Sequence, residues 1–397
     1  MGKRIVTVLL LATFFFAMAL PQQGVWAKES TNEEGKQPNL AQNAKSALLI
    51  ERDSGQVLFQ KNQHDRLPPA SMTKIMTMLL IMEALDSGKI TLDETVTASE
   101  HAASMGGSQI FLEPGEEMTV EEMLKGIAIG SGNDASVAMA EHIAGSEEAF
   151  VDMMNEKVKE LGLKDTNFVN PTGLSAENHY SSAYDMGMMA KELLKYDKIT
   201  EFTGVYEDYL RQDSEKKFWL VNTNKLVKFY KGVDGVKTGF TQEAKYCLTA
   251  TAEKNGMRVI AVVFGAPTPK DRNAQVTAML DHAYAQYKTS PLFEKDEVLA
   301  QLRVSKSEQK RVDVTTSEPI SILTKKGENT DGFTHEVMLD DSVKAPMKKG
   351  DTVGTLQVKN GDKVVSESPV VLKEDVEKAS WWTLYKRSFG MFSKVSP

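Results

Sequence analysis

The stretch over residues 72–85 constrains the fold most, because apolar side chains occupy nearly every position in it. A helix that is apolar on all faces is normally buried inside a domain. A long core strand is the alternative, but a run of this length without a turn residue favours a helix. The rest of the chain is therefore expected to enclose this helix.

Length and composition bound the class of protein. The 397 residues suggest two or three folding units, and 41% hydrophobic with 26% charged residues is ordinary for a globular chain. The net charge of −8 gives no support for binding nucleic acid through its phosphates. Cys247 is the one cysteine, which excludes an internal disulfide framework and a cysteine-cluster zinc site.

The N-terminal segment is predicted to direct export and to lie outside the fold. Lys3 and Arg4 precede an apolar run over residues 5–20, and a small-residue cleavage site follows. An uncleaved membrane anchor or a buried helix is the alternative. We therefore expect residues 1–27 to be a signal peptide of an extracytoplasmic protein, and the polar residues 28–44 to be a flexible leader.

Residues 45–288 are predicted to form one mixed α/β domain, in which an antiparallel sheet is accompanied by flanking and buried helices. A β-hairpin over residues 47–59 comes first. Helical patterns recur between residues 136 and 194, after which short apolar bursts separated by glycine or Asn-Gly indicate antiparallel strands. The strands are expected at residues 218–221, 233–238, 246–253 and 257–264, before a closing helix at 271–287.

The region over residues 291–375 reads as a small all-β domain. Six short β-like stretches are separated by charged turns, and none of them carries a cluster that could do chemistry. A spacer or interaction module is the resulting expectation.

The last segment, residues 377–397, is predicted to be an amphipathic helix. Wound at 100° per residue, it places aromatic and aliphatic side chains on one half and Lys386, Arg387 and Lys394 on the other. It is too short and too charged to span a bilayer, which favours an interfacial helix. A helix docked on the β domain is the alternative. The favoured interpretation is that this helix attaches the protein peripherally to the outer face of the cytoplasmic membrane.

The sequence lacks the common motifs for metal and phosphate chemistry. None of the six histidines lies in a His-Glu-x-x-His pair or shares a short motif with another ligand. There is no Gly-x-Ser-x-Gly motif and no Gly-rich loop ending in Gly-Lys-Ser/Thr. No metal and no cofactor are therefore expected.

Ser71 and Lys74 form a Ser-x-x-Lys motif at the start of the predicted buried helix. Residues three apart share a helix face, so the amine can reach the hydroxyl and take its proton. Lowering the lysine pKa by about three units costs about 4 kcal/mol, which burial and a second cation can supply. The same pattern at residues 214–217 and 307–310 lies in polar contexts, so the apolar surroundings select the first copy.

Two further motifs complete the candidate site. Ser131 and Asn133, in Ser-Gly-Asn, precede a predicted helix, and a helix cap is the alternative interpretation. Lys237, Thr238 and Gly239 end a predicted strand, for which an ordinary strand end is the alternative. A cation, a hydroxyl and a residue without a side chain together suit recognition of a carboxylate.

The three motifs, in this order, resemble those of the penicillin-recognising serine enzymes. Within that superfamily the chain resembles the D-alanyl-D-alanine carboxypeptidases, the low-molecular-mass penicillin-binding proteins. The likeness is strong over residues 44–287 and extends to other segments. These segments are Gly107-Ser108-Gln109-Ile110-Phe111-Leu112, Asn170-Pro171-Thr172-Gly173-Leu174 and His179-Tyr180-Ser181.

The resemblance implies an acyl-enzyme mechanism on peptidoglycan stem peptides. Ser71 would attack the carbonyl of the penultimate D-alanine, Lys74 would be the general base, and Ser131 would relay a proton to the leaving amine. Water would then hydrolyse the ester. β-Lactam antibiotics would acylate the same serine.

The resemblance also assigns the binding groups. Asn133 would hold the substrate amide, and the Lys237-Thr238-Gly239 segment would bind the terminal carboxylate. The backbone N–H groups of Ser71 and Phe240 would form the oxyanion hole.

Two departures from the β-lactamase pattern bear on the reaction. The middle motif is Ser-Gly-Asn instead of Ser-Asp-Asn, and no Glu-x-x-Leu-Asn segment supplies a deacylating glutamate. Glu177 lies in the corresponding region, but its neighbours do not match, which favours a surface carboxylate. Rapid penicillin hydrolysis is therefore not expected. A β-lactamase or esterase, or a non-catalytic cell-wall binding protein, stays open as the alternative.

Overall fold

The structure is a computed structural model, and it describes residues 38–309 and 311–392. The predicted signal peptide, residues 1–27, and the leader up to residue 37 lie outside the described residues. The end of the expected leader contacts the first domain. Ala41 and Ala44 are buried in the core, and Lys61 Nζ donates to the carbonyls of Ala41, Gln42 and Ala44 at 2.7–3.0 Å. Part of the expected leader therefore packs against the first domain.

The first domain contains nine strands among the described residues. They are β1 (Ser46–Glu51), β2 (Val57–Lys61), β3 (Thr95–Thr97), β4 (Glu117–Thr119), β5 (Glu207–Leu210), β6 (Phe218–Val221), β7 (Val233–Thr241), β8 (Lys245–Lys254) and β9 (Met257–Ala266). Five of them form an antiparallel sheet in the order β2-β1-β9-β8-β7, while β3-β4 and β5-β6 form separate ribbons. Strand β7, which carries the Lys-Thr-Gly motif, is therefore an edge strand.

Nine helices accompany these strands in the described part of the domain. They are α1 (Lys74–Asp86), α2 (Glu100–Ala103), α3 (Val120–Lys125), α4 (Asn133–Ala144), α5 (Glu147–Glu160), α6 (Ala183–Leu193), α7 (Thr200–Thr203), α8 (Leu226–Phe229) and α9 (Pro269–Gln286). Helix α6 contacts β1 and β9 in one core, and α9 contacts β8 and β9 in another. The central strands are apolar on both faces because both faces are covered.

Helix α1 is buried along its length, as its apolar run predicts. It contacts α4, α5 and α6. Its beginning differs from the prediction of one continuous helix, because Ala70–Thr73 is a 3₁₀ turn and the α-helix begins at Lys74. Ala70 has a positive φ of 48°, so the chain turns sharply after two prolines before it enters the helix. Ser71 consequently lies on a tight turn at the helix entrance.

The second domain is all-β, as predicted. Its strands are β10 (Tyr287–Phe293), β11 (Val298–Leu302), β12 (Val312–Thr316), β13 (Ile320–Lys325), β14 (Phe333–Leu339), β15 (Thr352–Asn360) and β16 (Lys363–Leu372). The sheet order is β11-β12-β16-β15-β14, with β10 paired to β13. Strand β10 was not predicted, because Pro291 interrupts it and its partner lies far along the chain.

Buried charges join the two domains. Glu318 of the β domain lies 3.5 Å from Arg52 and 3.8 Å from Lys191 of the first domain. Gln56 also donates to the Val365 carbonyl at 3.2 Å. These contacts hold the β domain against the first domain, and replacing one of the partners would leave a buried charge unpaired.

The chain continues into helix α10 (Trp381–Phe392), within the predicted amphipathic segment. Arg387 donates hydrogen bonds to the carbonyls of Ser307 (2.7 Å) and Glu308 (2.6 Å) of the β domain. Across the part of the chain that the structure describes, no helix combines the length and apolar character needed to cross a membrane.

Candidate active site

The 3₁₀ turn that carries Ser71 packs closely against two glycines. A β-carbon on Gly173, whose φ is +83°, would lie 1.9 Å from the Ala70 carbonyl oxygen. A β-carbon on Gly239 would lie 2.6 Å from the Pro69 carbonyl oxygen. Because any side chain at either position would collide with backbone, both glycines are required for the loop and strand β7 to approach the turn that carries Ser71.

Lys74 has three polar neighbours and no exposure to solvent. Its Nζ lies 3.2 Å from Ser71 Oγ, 2.6 Å from Asn133 Oδ1 and 2.6 Å from the Thr172 carbonyl oxygen. Burial lowers the pKa of Lys74 well below its ordinary value, and the charge of Lys237 lowers it further. This is the direction that a general base at neutral pH requires.

The Ser-Gly-Asn motif lies against this lysine. Asn133 is the first residue of α4; its Oδ1 accepts from Lys74, and its Nδ2 donates to the Gly106 carbonyl at 2.6 Å. Ser131 is buried and has left-handed backbone angles, φ 64° and ψ 30°, after the π-helical turn Gly126–Gly130. The helix-cap interpretation of Ser131 is wrong, because Gly132 occupies the cap position and no side chain caps the helix.

The Lys-Thr-Gly motif supplies a second buried lysine. Lys237 is almost wholly buried, and burial together with the charge of Arg272 lowers its pKa to about 7. Its Nζ donates a long hydrogen bond to the Thr238 carbonyl oxygen, at 3.4 Å. Thr238 donates from Oγ1 to Thr223 Oγ1 at 2.7 Å. Among the described residues, Lys237 thus has no ion-pair partner, which suits a site for a carboxylate.

Phe240 follows the motif on strand β7. Its ring is exposed and stacks on Tyr246 with 4.4 Å between centroids, while its backbone pairs in register with the same residue. Among the described residues, no group of three or more histidine, cysteine, aspartate or glutamate side chains could hold a metal ion.

Several residues that shape the site were not predicted from the sequence. The Thr172 carbonyl and Gly173 lie in a segment noted above only for its resemblance to the family. Asp134 accepts from the N–H groups of Ile110 and Leu112 and so holds the neighbouring loop. Arg272 lies on α9, and no local pattern connects it with Lys237.

His179 connects the loop that contains Thr172 to the turn that carries Ser71. Its Nδ1 accepts from the Val169 N–H at 3.1 Å, so the proton is on Nε2, which donates to Thr73 Oγ1 at 2.8 Å. Burial and the charge of Lys74 lower the pKa of His179 to about 4. The imidazole therefore stays neutral beside Lys74 at neutral pH.

The close approach at Gly173 can be tested with two alanine variants. Gly162 also has a positive φ, +66°, but nothing lies within 4 Å of its β-carbon position. We expect Gly162→Ala to lower the free energy of unfolding by about 1–2 kcal/mol, which is the ordinary cost of a side chain in the left-handed backbone conformation. Gly173→Ala should cost about 2 kcal/mol more, because it adds a collision with backbone. Urea unfolding measures both, and equal losses would contradict the described contact.

Comparisons with known sequences agree with this geometry. A sequence model of the D-alanyl-D-alanine carboxypeptidase family matches residues 31–268, and one of the penicillin-binding protein 5 C-terminal domain matches residues 287–378. The chain is 62% identical to D-alanyl-D-alanine carboxypeptidase DacF of Bacillus subtilis over 99% of both proteins. It is 32% identical to DacC of Escherichia coli over 85% of this chain and 86% of that protein.

Comparison with solved structures also finds penicillin-binding proteins. Penicillin-binding protein 5 from Haemophilus influenzae is 31% identical, with a TM-score of 0.66, 85% of this chain covered and 98% of that one. Penicillin-binding protein D2 from Listeria monocytogenes, in an ampicillin-bound form, is 28% identical, with a TM-score of 0.56, 62% of this chain covered and 100% of that one. The resemblance predicted from the three motifs is confirmed, and the chain belongs to the D-alanyl-D-alanine carboxypeptidase family.

Proposed function

We propose that Ser71 is the nucleophile with which this carboxypeptidase removes the terminal D-alanine of peptidoglycan stem peptides. The observation that carries the proposal is the placement of Lys74, a buried amine 3.2 Å from Ser71 Oγ with a strongly lowered pKa. A serine hydroxyl becomes a nucleophile when a neighbouring base accepts its proton.

The contacts of Lys74 support its role as that base. A neutral amine has two N–H groups and one lone pair. The carbonyl oxygens of Asn133 and Thr172, each 2.6 Å away, accept the two N–H groups, and the lone pair is left to receive the proton of Ser71. Acylation then forms the ester at Ser71 Oγ, and the proton passes to the leaving D-alanine amine.

The remaining motif residues are proposed to bind the peptide. Lys237 and Thr238 would hold the terminal carboxylate beside Gly239, and Asn133 would hold the amide on the acyl side. Ser131 would relay the proton between the lysines and the leaving amine. The backbone N–H groups of Ser71 and Phe240 would stabilise the oxyanion. Ser71 lies on a turn and Phe240 on an edge strand, and the backbone N–H groups of turns and edge strands are not all used in secondary structure, so they are available to a ligand.

β-Lactam antibiotics are proposed to acylate Ser71 and to leave slowly. A β-lactam presents a strained amide and a carboxylate in the same relation as the peptide. Glu177, in the region where a β-lactamase would place its deacylating glutamate, is exposed, and among the described residues it makes no hydrogen bond or ion pair with Lys74. Long-lived acylation is therefore expected, with a β-lactamase or esterase as the weaker alternative.

Alanine variants at two Ser-x-x-Lys copies test the nucleophile. Ser71→Ala should abolish both labelling by fluorescent penicillin and D-alanine release, with losses of at least about 10³-fold, because the bond-forming oxygen is removed. Ser214→Ala is the matched control, since that serine lies in an exposed turn and its hydroxyl accepts from the Lys216 N–H. It should retain both activities.

The same assay separates the alternatives. Persistent labelling with D-alanine release supports the proposal, rapid penicillin turnover supports a β-lactamase, and the absence of both supports a non-catalytic binding protein. Retention of labelling and release in Ser71→Ala would refute the assignment.

Helix α10 is proposed to attach the exported protein to the outer face of the cytoplasmic membrane. Trp381, Trp382 and Tyr385 are 72%, 56% and 42% exposed and stack on one another with centroids 5.3–6.0 Å apart. Arg387 meanwhile contacts the β domain. The helix thus docks through a polar side chain and presents an aromatic cluster of the kind found at membrane interfaces.

Under this proposal, the β domain is a spacer that holds the active site above the bilayer, where stem peptides are found.

Two variants of the mature chain test this attachment. Removing the residues after Glu377 should lower co-sedimentation with phosphatidylglycerol-containing vesicles by about tenfold or more, because the apolar surface that enters the interface is lost. Replacing Trp381, Trp382 and Tyr385 together by serine should have a similar effect with the helix retained. Penicillin labelling serves as the folding control. Unchanged sedimentation of both variants would contradict the proposal.

A further inference from the structure

Lysines and aromatic rings form a surface on the first domain that no step of the mechanism above uses. The segment over residues 225–231, Lys-Leu-Val-Lys-Phe-Tyr-Lys, has three lysines and no acidic residue, whereas the whole chain has a net charge of −8. Phe229 is 71% exposed and packs edge-on against Tyr206, with 6.4 Å between the ring centroids. The lysine–aromatic surface consists of Tyr206, Lys225, Lys228, Phe229, Tyr230, Lys231 and Lys254.

Two of these lysines share one ring. The Nζ of Lys225 lies 5.1 Å from the centroid of the Tyr206 ring, and the Nζ of Lys228 lies 4.4 Å from it. Attraction to the ring holds both amines in place. Two ammonium groups this close together also repel each other, and an anion bound between them removes that repulsion. Because lysine commonly binds phosphate groups in proteins, this pair suits a phosphate.

The other two lysines form a second pair. Lys254 Nζ lies 3.9 Å from the centroid of the Tyr230 ring. The Lys254 side chain passes beside Gly232, where a β-carbon would lie 3.3 Å from Lys254 Cγ, and Lys231 immediately precedes that glycine. Lys228 and Lys231 are three residues apart, so their α-carbons are separated by at most about 11 Å. One chain molecule that carries several anionic groups can therefore reach both pairs.

The surface has an excess of positive charge. Within residues 38–309 and 311–392, the amines of its four lysines form no hydrogen bond and no ion pair with a carboxylate. Of the acidic neighbours, Glu253 pairs with Arg258 at 2.7 Å, and Asp281 accepts from Tyr230 Oη at 2.8 Å. Even when Asp281 and the exposed Glu207 are counted, the lysines outnumber the acids.

We propose that the lysine–aromatic surface binds a linear polyanion whose charges are phosphodiesters. A single exposed ion pair contributes little to affinity. Successive phosphates of one polymer can instead occupy both lysine pairs at once, so that the second contact forms at a high effective concentration. Release of the counterions of the polymer adds to the binding free energy. Since the protein as a whole is acidic and repels a polyanion, such a polymer should bind at this surface and in one region only.

The position of the surface favours a polymer over a bilayer. Asn224, the residue before the segment, donates from Nδ2 to the Gly235 carbonyl at 2.9 Å and so connects the surface to strand β7 of the first domain. Helix α10, the proposed membrane contact, is held by the β domain. With the β domain as the spacer between bilayer and first domain, the lysines face the space above the membrane. A polymer in that space can reach them while α10 stays in the interface.

A fluorescently labelled glycerol phosphate polymer of about 20 units is the probe, and fluorescence anisotropy in about 50 mM salt measures its binding. We expect the unaltered protein to bind this polymer and not to bind labelled dextran, which is uncharged. The affinity should fall steeply as the salt concentration rises, because fewer counterions are then released with a gain in entropy.

Two fourfold glutamine variants assign the binding to the surface. The first carries Lys225→Gln, Lys228→Gln, Lys231→Gln and Lys254→Gln. It should weaken binding by at least about tenfold and lower the slope of log Kd against log salt by about 2–3. The matched control changes the net charge equally by replacing four exposed lysines of the β domain with glutamine. These are Lys344, Lys349, Lys363 and Lys373. The control should lose less than about twofold.

Penicillin labelling is the folding control and should continue in both variants, because neither changes a residue of the proposed active site. Absence of polymer binding by the unaltered protein would overturn the proposal. Equal losses in the two variants would also overturn it, since binding would then follow net charge alone. A bilayer is tested with the chain shortened after Glu377 and phosphatidylglycerol vesicles. Vesicle binding that the first variant abolishes, without any polymer binding, would assign the surface to a membrane instead.

Discussion

The contact between Lys74 and two carbonyl oxygens is the interaction on which the rest of the site depends. A charged ammonium buried without a carboxylate partner would be strongly unfavourable, and a lysine relieves this cost by giving up its proton. Asn133 and Thr172 accept hydrogen bonds whether or not the amine is charged, so they hold the nitrogen in place without restoring its ordinary pKa. In the proposed mechanism, the fold thereby turns a residue that is normally an acid into a base.

The neighbours of that amine come from distant parts of the chain, so only the folded domain can assemble them. Ser71 lies on the turn before α1, Asn133 begins α4, and Thr172 belongs to the loop that His179 fastens to the same turn. Helix α1 cannot shift easily, because it is packed on every face. A site supported by buried, rigid elements keeps reacting atoms within the small tolerance that catalysis allows.

The sequence predicted what depends on side-chain pattern. The apolar run of α1, the strands with continuous apolar residues and the three motifs were all recognisable, because each has a local signature. The Thr172 carbonyl had none, since every residue has a carbonyl and only tertiary structure selects one. Arg272 affects Lys237 across the sheet from α9, and β10 exists only because β13 pairs with it. The packed residues Ala41 and Ala44 were missed for the same reason: their partners are remote in sequence.

The protonation state of Lys74 tests the account most directly. Lysine labelled with ¹³C at Cε can be titrated by NMR in the intact protein, and the Lys74 signal can be assigned by its absence in Lys74→Arg. The account predicts a chemical shift of the neutral amine at pH 7.5 and a titration well below the ordinary value of about 10.4. A Lys74 signal that stays in its ammonium form up to about pH 10 would contradict it, because Ser71 would then have no base to accept its proton.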